Sequence, residues 1–115
     1  MLNSFGSIFA FAIALEAQMR DYYQAIGAVE RAKDADKRRQ NLERVRRENV
    51  TEIKLEPIDG LDEADYVLNL DGAESQRNAE GLALRFYQDV APKINVREAQ
   101  RALERCAKQY EAYLA

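Results

Sequence analysis

Apolar residues recur at steps of three and four along the first quarter of the chain, which is the spacing of one face of an α-helix. The positions are Phe5, Ile8, Phe9, Ala12, Leu15, Met19, Tyr22, Tyr23 and Ile26. Asn3 or Ser4 can cap such a helix, because either side chain can accept a hydrogen bond from a free backbone N–H of the first turn. The pattern therefore predicts a first helix that runs to about Ala32.

A second helix and a long connection are predicted to follow. Asp34 and Asp36 are candidate caps, and we place the helix from about Asp36 to Leu55. It ends before Pro57, because the residue that precedes a proline is forced out of the α region. The next stretch, EPIDGLDEADYVLNLDG, carries six acidic residues and no basic ones. We interpret residues 56–72 as a crossover with a helical turn near residues 62–67, and we expect Tyr66, Val67, Leu68 and Leu70 to pack against the helices.

The second half of the chain shows the same organisation as the first. Asp71 followed by Glu74 has the spacing of a capping box and predicts a third helix that continues to about Ala91. Asn95 repeats this capping pattern with Glu98 and predicts a fourth helix. The sequence thus predicts a single all-α domain, with one hairpin at about residues 4–55, a crossover at 56–72 and a second hairpin at about 73–115.

The two predicted hairpins have related sequences. When Glu16 is aligned with Glu80, Tyr23 meets Tyr87 and the neighbouring apolar residues also correspond. In the second helix of each hairpin, Leu42 aligns with Leu103. The number of residues that separates the aligned pairs is three larger for the first helices than for the second helices. This difference falls in the hairpin loops, where chain length varies most freely.

Composition and charge exclude several classes of function. The chain has 115 residues, of which 47% are hydrophobic and 32% charged, and its net charge of −3 gives no basic field for nucleic acid or anionic membranes. The apolar run from Phe5 to Leu15 is about half the length that a bilayer requires. A single cysteine, Cys106, excludes an internal disulfide and is interpreted as a buried thiol. We expect a cytoplasmic protein without histidine chemistry, since the sequence contains no histidine.

The sequence resembles the rubrerythrin and ferritin-like superfamily. The segments that carry the resemblance are Ala-Leu-Glu16 with Arg20-Asp-Tyr-Tyr23, and Ala-Glu80 with Arg85-Phe-Tyr87. The resemblance implies a ferritin-like four-helix bundle of two hairpins joined by a crossover. It also implies a di-iron site in the centre, to which the first and third helices each contribute a glutamate and the second and fourth each contribute a Glu-x-x-His pair.

The family's ligand pattern is incomplete in this chain. The retained ligands are Glu16, Glu48 and Glu80, and the departures are Thr51, Gln109 and Ala112. Both histidine positions are lost, so the usual di-iron oxidase or peroxidase site is not expected, and no catalytic residue is predicted. Placing an unpaired carboxylate on a core face costs several kcal/mol, so the remaining glutamates need an explanation.

Three interpretations of the glutamates remain open. They form a vestigial site whose charges are neutralised by tyrosine hydroxyls or by basic residues, the candidates being Arg20, Arg44, Arg47 and Lys108. Alternatively, they hold one hard cation such as Mn, Mg or Ca through oxygen donors alone, with help from Gln109 and Thr51. In the third interpretation, the predicted helix phases are wrong and the glutamates are partly exposed.

Three functions follow from these interpretations. The first is a non-catalytic structural or interaction module, and the second is a redox or detoxification protein that uses an all-carboxylate Mn or Fe site. The third is an adaptor that binds a protein partner through the acidic crossover. We also expect a homodimer through the first helix, because residues 5–13 are apolar on nearly all sides of the helix.

Overall fold

The computed structural model describes residues 2–49 and 60–115. These residues form four α-helices packed around one core: α1 (Phe5–Ala25), α2 (Val29–Glu48), α3 (Gln76–Val90) and α4 (Arg97–Leu114). Helix α1 packs along α2, α3 packs along α4, and α2 contacts α4. The all-α prediction is confirmed for the described residues, where strand-like pairing is confined to one antiparallel bridge between Leu2 and Leu61.

Helix α1 begins where one of the two candidate caps predicts. The Ser4 hydroxyl accepts a hydrogen bond from the Ser7 backbone N–H at 3.1 Å, and the Ser7 hydroxyl accepts one from the Ser4 N–H at the same distance. Two backbone donors that the helix itself leaves free are thereby satisfied.

The turn between α1 and α2 is earlier than predicted. Helix α1 ends at Ala25 and not near Ala32, and α2 begins at Val29 and not near Asp36. The cause is Gly27, whose φ of 77° lies in the left-handed region that side chains with a Cβ rarely adopt. Apolar spacing continues through the turn, which is why periodicity alone did not locate it.

Hydrogen bonds around Gly27 have the pattern of a Schellman motif. The Ala28 N–H donates to the carbonyl of Tyr23 at 2.8 Å, and the Gly27 N–H donates to the carbonyl of Gln24 at 3.2 Å. These bonds satisfy carbonyl groups at the end of α1 that have no partner within the helix.

The later boundaries also differ from the prediction. A 3₁₀ turn at Ala73–Ser75 precedes α3, and neither Asp71 nor Glu74 caps that helix. Another 3₁₀ turn at Ala91–Lys93 follows α3, so the chain continues to coil through the proline at position 92. Helix α4 has Val96 at its N-cap position, one residue after the cap predicted at position 95. Helix α2 ends at Glu48, before the predicted end at residue 55, while residues 50–55 and the proline at 57 lie outside the described residues.

The described part of the crossover packs along α1. It contains a 3₁₀ turn at Glu63–Tyr66, which agrees with the predicted helical turn, and Tyr66 is buried. Leu68 and Leu70 are half-buried against the core, as expected. Val67 is 72% exposed, so the prediction that it packs against the helices is wrong.

The apolar start of α1 is largely covered within the chain. Phe5 and Phe9 are buried and stacked with ring centroids 4.6 Å apart. On another side of the helix, half-buried Phe11 contacts Phe86 of α3 at 5.0 Å and Tyr66 of the crossover at 6.4 Å. The crossover thus covers a face for which we expected a second subunit, and the homodimer through α1 stays a prediction.

Replacing Gly27 with alanine tests the turn. We expect Gly27→Ala to lower the free energy of unfolding by about 1 kcal/mol, because the added Cβ is strained at positive φ. Gly81→Ala is the matched control: Gly81 lies within α3, and a Cβ there meets no atom within 4 Å. That change should stabilise the protein by about 0.5–1 kcal/mol. Urea unfolding measures both, and a stabilising Gly27→Ala would contradict the turn.

Candidate functional site

Two of the three predicted carboxylates lie in the core. Glu16 of α1 is 0% exposed and Glu80 of α3 is 1% exposed. Glu48 lies elsewhere, with its side chain 48% exposed and paired with Arg44 at 2.7 Å on the surface of α2. The interpretation that the glutamates are exposed is therefore wrong for Glu16 and Glu80 and correct for Glu48.

Glu16 is held by side chains from the three other helices. The Arg38 Nε of α2 donates to Oε1 at 2.9 Å. Tyr110 of α4 donates to the same oxygen at 2.8 Å, and Tyr87 of α3 donates to Oε2 at 2.6 Å. Hydrogen bonds of this kind to a buried carboxylate partly offset its loss of hydration.

The guanidinium of Arg38 is likewise surrounded, and the residue is only 4% exposed. Its Nη1 donates to the Gln109 side-chain carbonyl at 2.6 Å and to the Tyr113 hydroxyl at 2.9 Å. Its Nη2 donates to the Tyr110 hydroxyl at 3.0 Å, and the guanidinium carbon lies 4.4 Å from the centroid of that ring. Arg38 thus joins α2 to α1 and α4 through both hydrogen bonds and a cation–π contact.

Glu80 has a comparable set of donors. The Tyr23 hydroxyl of α1 and the Arg31 Nη1 of α2 each donate to its Oε2 at 2.6 Å. Gln76, one turn earlier on α3, donates to the same oxygen at 3.2 Å. Each inward carboxylate is therefore paired with an arginine of α2.

The tyrosine contacts are reciprocal between the two hairpins. Tyr23 follows Glu16 by seven residues, and Tyr87 follows Glu80 by seven residues, so each pair lies on one helical face. Each tyrosine donates to the glutamate of the other hairpin. The repeat in the sequence therefore corresponds to an exchange of hydrogen bonds across the interface between the hairpins.

Burial controls the protonation of this cluster. Burial raises the pKa of Glu16, while Arg38, Tyr87 and Tyr110 oppose that rise. Burial disfavours the charged form of Arg38. The nearby Tyr110 and Glu16 favour that form more strongly, so the pKa of Arg38 is raised. The pKa values of Tyr87 and Tyr110 are also raised, first by burial and then by the charge of Glu16. The guanidinium therefore stays positive and the phenols stay protonated hydrogen-bond donors.

The remaining positions of the predicted ligand set do not join the cluster as ligands. Gln109 uses its side-chain oxygen to accept from Arg38, and Ala112 is exposed. The residue at position 51 lies outside the described residues. Within residues 2–49 and 60–115, no three Asp, Glu or Cys side chains form a group that could hold a metal ion.

The side chains that neutralise the two buried glutamates were only partly predicted from the sequence. The predicted tyrosine hydroxyls do contact both carboxylates, but the predicted arginines do not. Arg20 pairs with Asp21 and Asp36 instead, and Arg44 pairs with the exposed Glu48.

Arg38 could have been found from the sequence, because it shares a helical face with Leu42 and Val45. Once α2 begins at Val29, its inward positions are Ala32, Ala35, Arg38, Leu42 and Val45. An arginine on such a face predicts a buried partner of opposite charge, because a lone buried charge is too costly. The missed signal was that Arg38 lies four residues before Leu42, on the same face of the helix.

The environment of Cys106 disfavours the thiolate form of its side chain. It is 3% exposed, and burial together with the charge of Glu16 raises the pKa of its thiol to about 12. The prediction of a small buried thiol is confirmed.

Comparisons with known proteins do not extend these observations. Searches with protein-family models, curated proteins and solved structures find no match to this chain. Among the described residues, every helix is too short or too polar to cross a lipid bilayer.

A double-mutant cycle tests the buried ion pair. Glu16→Gln leaves the Arg38 charge without its carboxylate, and Arg38→Met leaves the carboxylate without its cation, so each should cost about 3–5 kcal/mol. The double variant Glu16→Gln/Arg38→Met should cost less than the sum of the two, because no uncompensated charge remains. Exposed Glu48→Gln is the control and should change stability by about 0.5 kcal/mol or less. Additive single effects would contradict the pair.

The same variants predict a pH dependence. Without the Arg38 charge, the pKa of Glu16 in the folded state should rise further above its unfolded value of 4.5. A carboxyl with a raised folded pKa is most favourable to folding below its unfolded pKa, and this contribution is lost as pH rises through the folded pKa. Between about pH 4 and pH 8, Arg38→Met should therefore lose stability relative to Glu16→Gln/Arg38→Met. Urea unfolding measures the difference, and parallel pH profiles would refute the assignment.

Proposed function

We propose that this chain is a ferritin-like, rubrerythrin-like four-helix bundle that acts as a non-catalytic structural or interaction module. The order of the elements supports the fold, because two hairpins are joined by one long connection and each first helix carries an inward glutamate. The arrangement of charges around those glutamates supports the absence of a catalytic metal centre.

The observation that carries the proposal is the pairing of both inward carboxylates with guanidinium groups. Arg38 contacts Glu16, and Arg31 contacts Glu80. A guanidinium has no lone pair to donate to a metal ion, and its permanent charge opposes the approach of a divalent cation. In this core, the arginines supply the positive charge that a metal would supply.

The residues present do not fit a two-metal carboxylate centre. Such a centre needs donors from all four helices. Here the candidate from α2, Glu48, is on the surface, and the candidate oxygen of α4, in Gln109, accepts a hydrogen bond from Arg38. An all-oxygen site for one Mn or Fe ion is the alternative, and it requires Arg38 to leave the position it has in this structure.

An adaptor that binds a protein partner is a second candidate, and the exposure of Val67 on the crossover favours it. The two proposals are compatible, since a bundle without metal chemistry can present a binding surface.

Metal binding can be tested directly on the purified protein. Because a ligand that binds only the folded state raises its stability, a resident Mn(II) or Fe(II) ion should raise the melting temperature and a chelator should lower it. We expect no stoichiometric metal by elemental analysis and no shift of the melting temperature with either ion or with EDTA. Stoichiometric metal that is lost in Glu16→Gln and Glu80→Gln, but retained in the control Glu48→Gln, would overturn the proposal.

A further inference from the structure

One segment of the crossover begins at a buried residue and continues, partly exposed, along the surface. Tyr66 anchors it: its ring packs against Phe86 at 5.3 Å, and its hydroxyl donates to Asp89 at 2.6 Å. Val67 follows with extended backbone angles, φ −78° and ψ 121°. From residue 67 to residue 70 the side chains alternate between exposed and half-buried, which is the period of a β-strand. We call residues 67–70 the crossover edge.

The backbone of the crossover edge has no backbone hydrogen bond within residues 2–49 and 60–115. An extended segment whose main-chain donors and acceptors have no backbone partner among the described residues can accept another extended chain beside it, as in recognition by strand addition.

An apolar groove lies beside the crossover edge. It has a volume of about 160 Å³ and runs between α1, which contributes Phe11, Ala14 and Gln18, and the edge, which contributes Val67 and Leu68. Ala14 is exposed, and its small side chain leaves space for a ligand on the α1 side of the groove. The groove can take one apolar side chain of a chain that lies along the edge.

The charged side chains beside the edge are mostly acidic, although Arg85 of α3 lies over the Tyr66 ring at 5.4 Å and donates to the carbonyl of Asp65. Asp65 precedes the edge, Asp71 and Glu74 follow it, and all three are exposed. No lysine or arginine occurs in the sequence from residue 55 to residue 76. The exposed surface of α1 beside the groove is uncharged at Ala14 and Gln18. A ligand of this surface therefore gains most from an apolar anchor with positive charges on either side.

We propose that the crossover edge and its groove bind an extended basic peptide segment of a partner protein. The peptide lies beside the edge and exchanges main-chain hydrogen bonds with it, places one apolar side chain in the groove and sets lysine or arginine side chains near Asp65 and Asp71. This inference rests on the proposed interaction role, and it names the chemistry of the partner.

The probe for this proposal is a synthetic fluorescent peptide of alternating lysine and valine with one central leucine. Fluorescence anisotropy measures its affinity for the full chain, and amide chemical shifts locate its contacts. We expect saturable binding that weakens with salt, because exposed charges are screened, with shifts centred on residues 67–70. A peptide of the same sequence with alternate N-methylated amides should bind about tenfold more weakly or worse, since it lacks the main-chain donors.

Two matched substitutions separate the groove from a general surface effect. Val67→Lys should weaken binding by about tenfold or more, because it removes an exposed apolar contact and adds a like charge. Val29→Lys is the control, since Val29 is an exposed valine (58%) at the start of α2. The double variant Asp65→Asn/Asp71→Asn should reduce the salt dependence. Thermal unfolding confirms that each variant is folded.

Several outcomes would overturn the proposal. They are an absence of saturable binding, an equal effect of Val67→Lys and Val29→Lys, and equal binding of the N-methylated peptide. Self-association of the free chain that Val67→Lys abolishes would show instead that a second copy covers the groove. None of these results bears on the metal measurements, so a failure here leaves the non-catalytic proposal standing.

Discussion

The ion pair between Arg38 and Glu16 is the constraint on which the core depends. Its two side chains are nearly or fully buried, and they receive or make hydrogen bonds with residues of every helix. A buried pair of this kind is not by itself a large source of stability, because removing both charges from water offsets most of their attraction. Its effect is on specificity: other packings of α1 against α2 leave both charges unpaired, so the pair favours one arrangement of these two helices.

The reciprocal contacts of Tyr23 and Tyr87 extend this constraint to the second carboxylate. Because each tyrosine reaches the glutamate of the opposite hairpin, a shift of one hairpin along the other breaks both hydrogen bonds together. The polar interior therefore fixes the register between the hairpins, and the surrounding apolar residues supply the buried area. This division explains how a largely apolar core can accommodate two buried glutamates.

The sequence predicted the helices, their order and the two buried glutamates, because these follow from periodic apolar positions that extend over many residues. It failed at the first turn, where a single glycine, Gly27, outweighs an apolar spacing that continues without a break. That error shifted the start of α2. Separately, Arg38, the partner of Glu16, was not recognised although it lies four residues before Leu42 on the inward face. Long-range partners such as Tyr110 depend on how α4 lies across α1, which local patterns do not encode. The two buried carboxylates were therefore predictable from the sequence, but only some of the side chains that neutralise them were.

The crossover follows a different physical rule from the core. In the core, the described buried side-chain polar atoms all have a partner, so nothing there is left to recognise a ligand without first breaking a bond. At the crossover, Tyr66 is anchored while the next residue, Val67, is extended and exposed. A fixed anchor lowers the entropy that is lost when a partner binds to neighbouring main-chain groups, because the edge is already held in place. The proposed binding of a partner at the crossover therefore requires fewer existing bonds to be broken than binding in the bundle interior, where the charges hold the helices together.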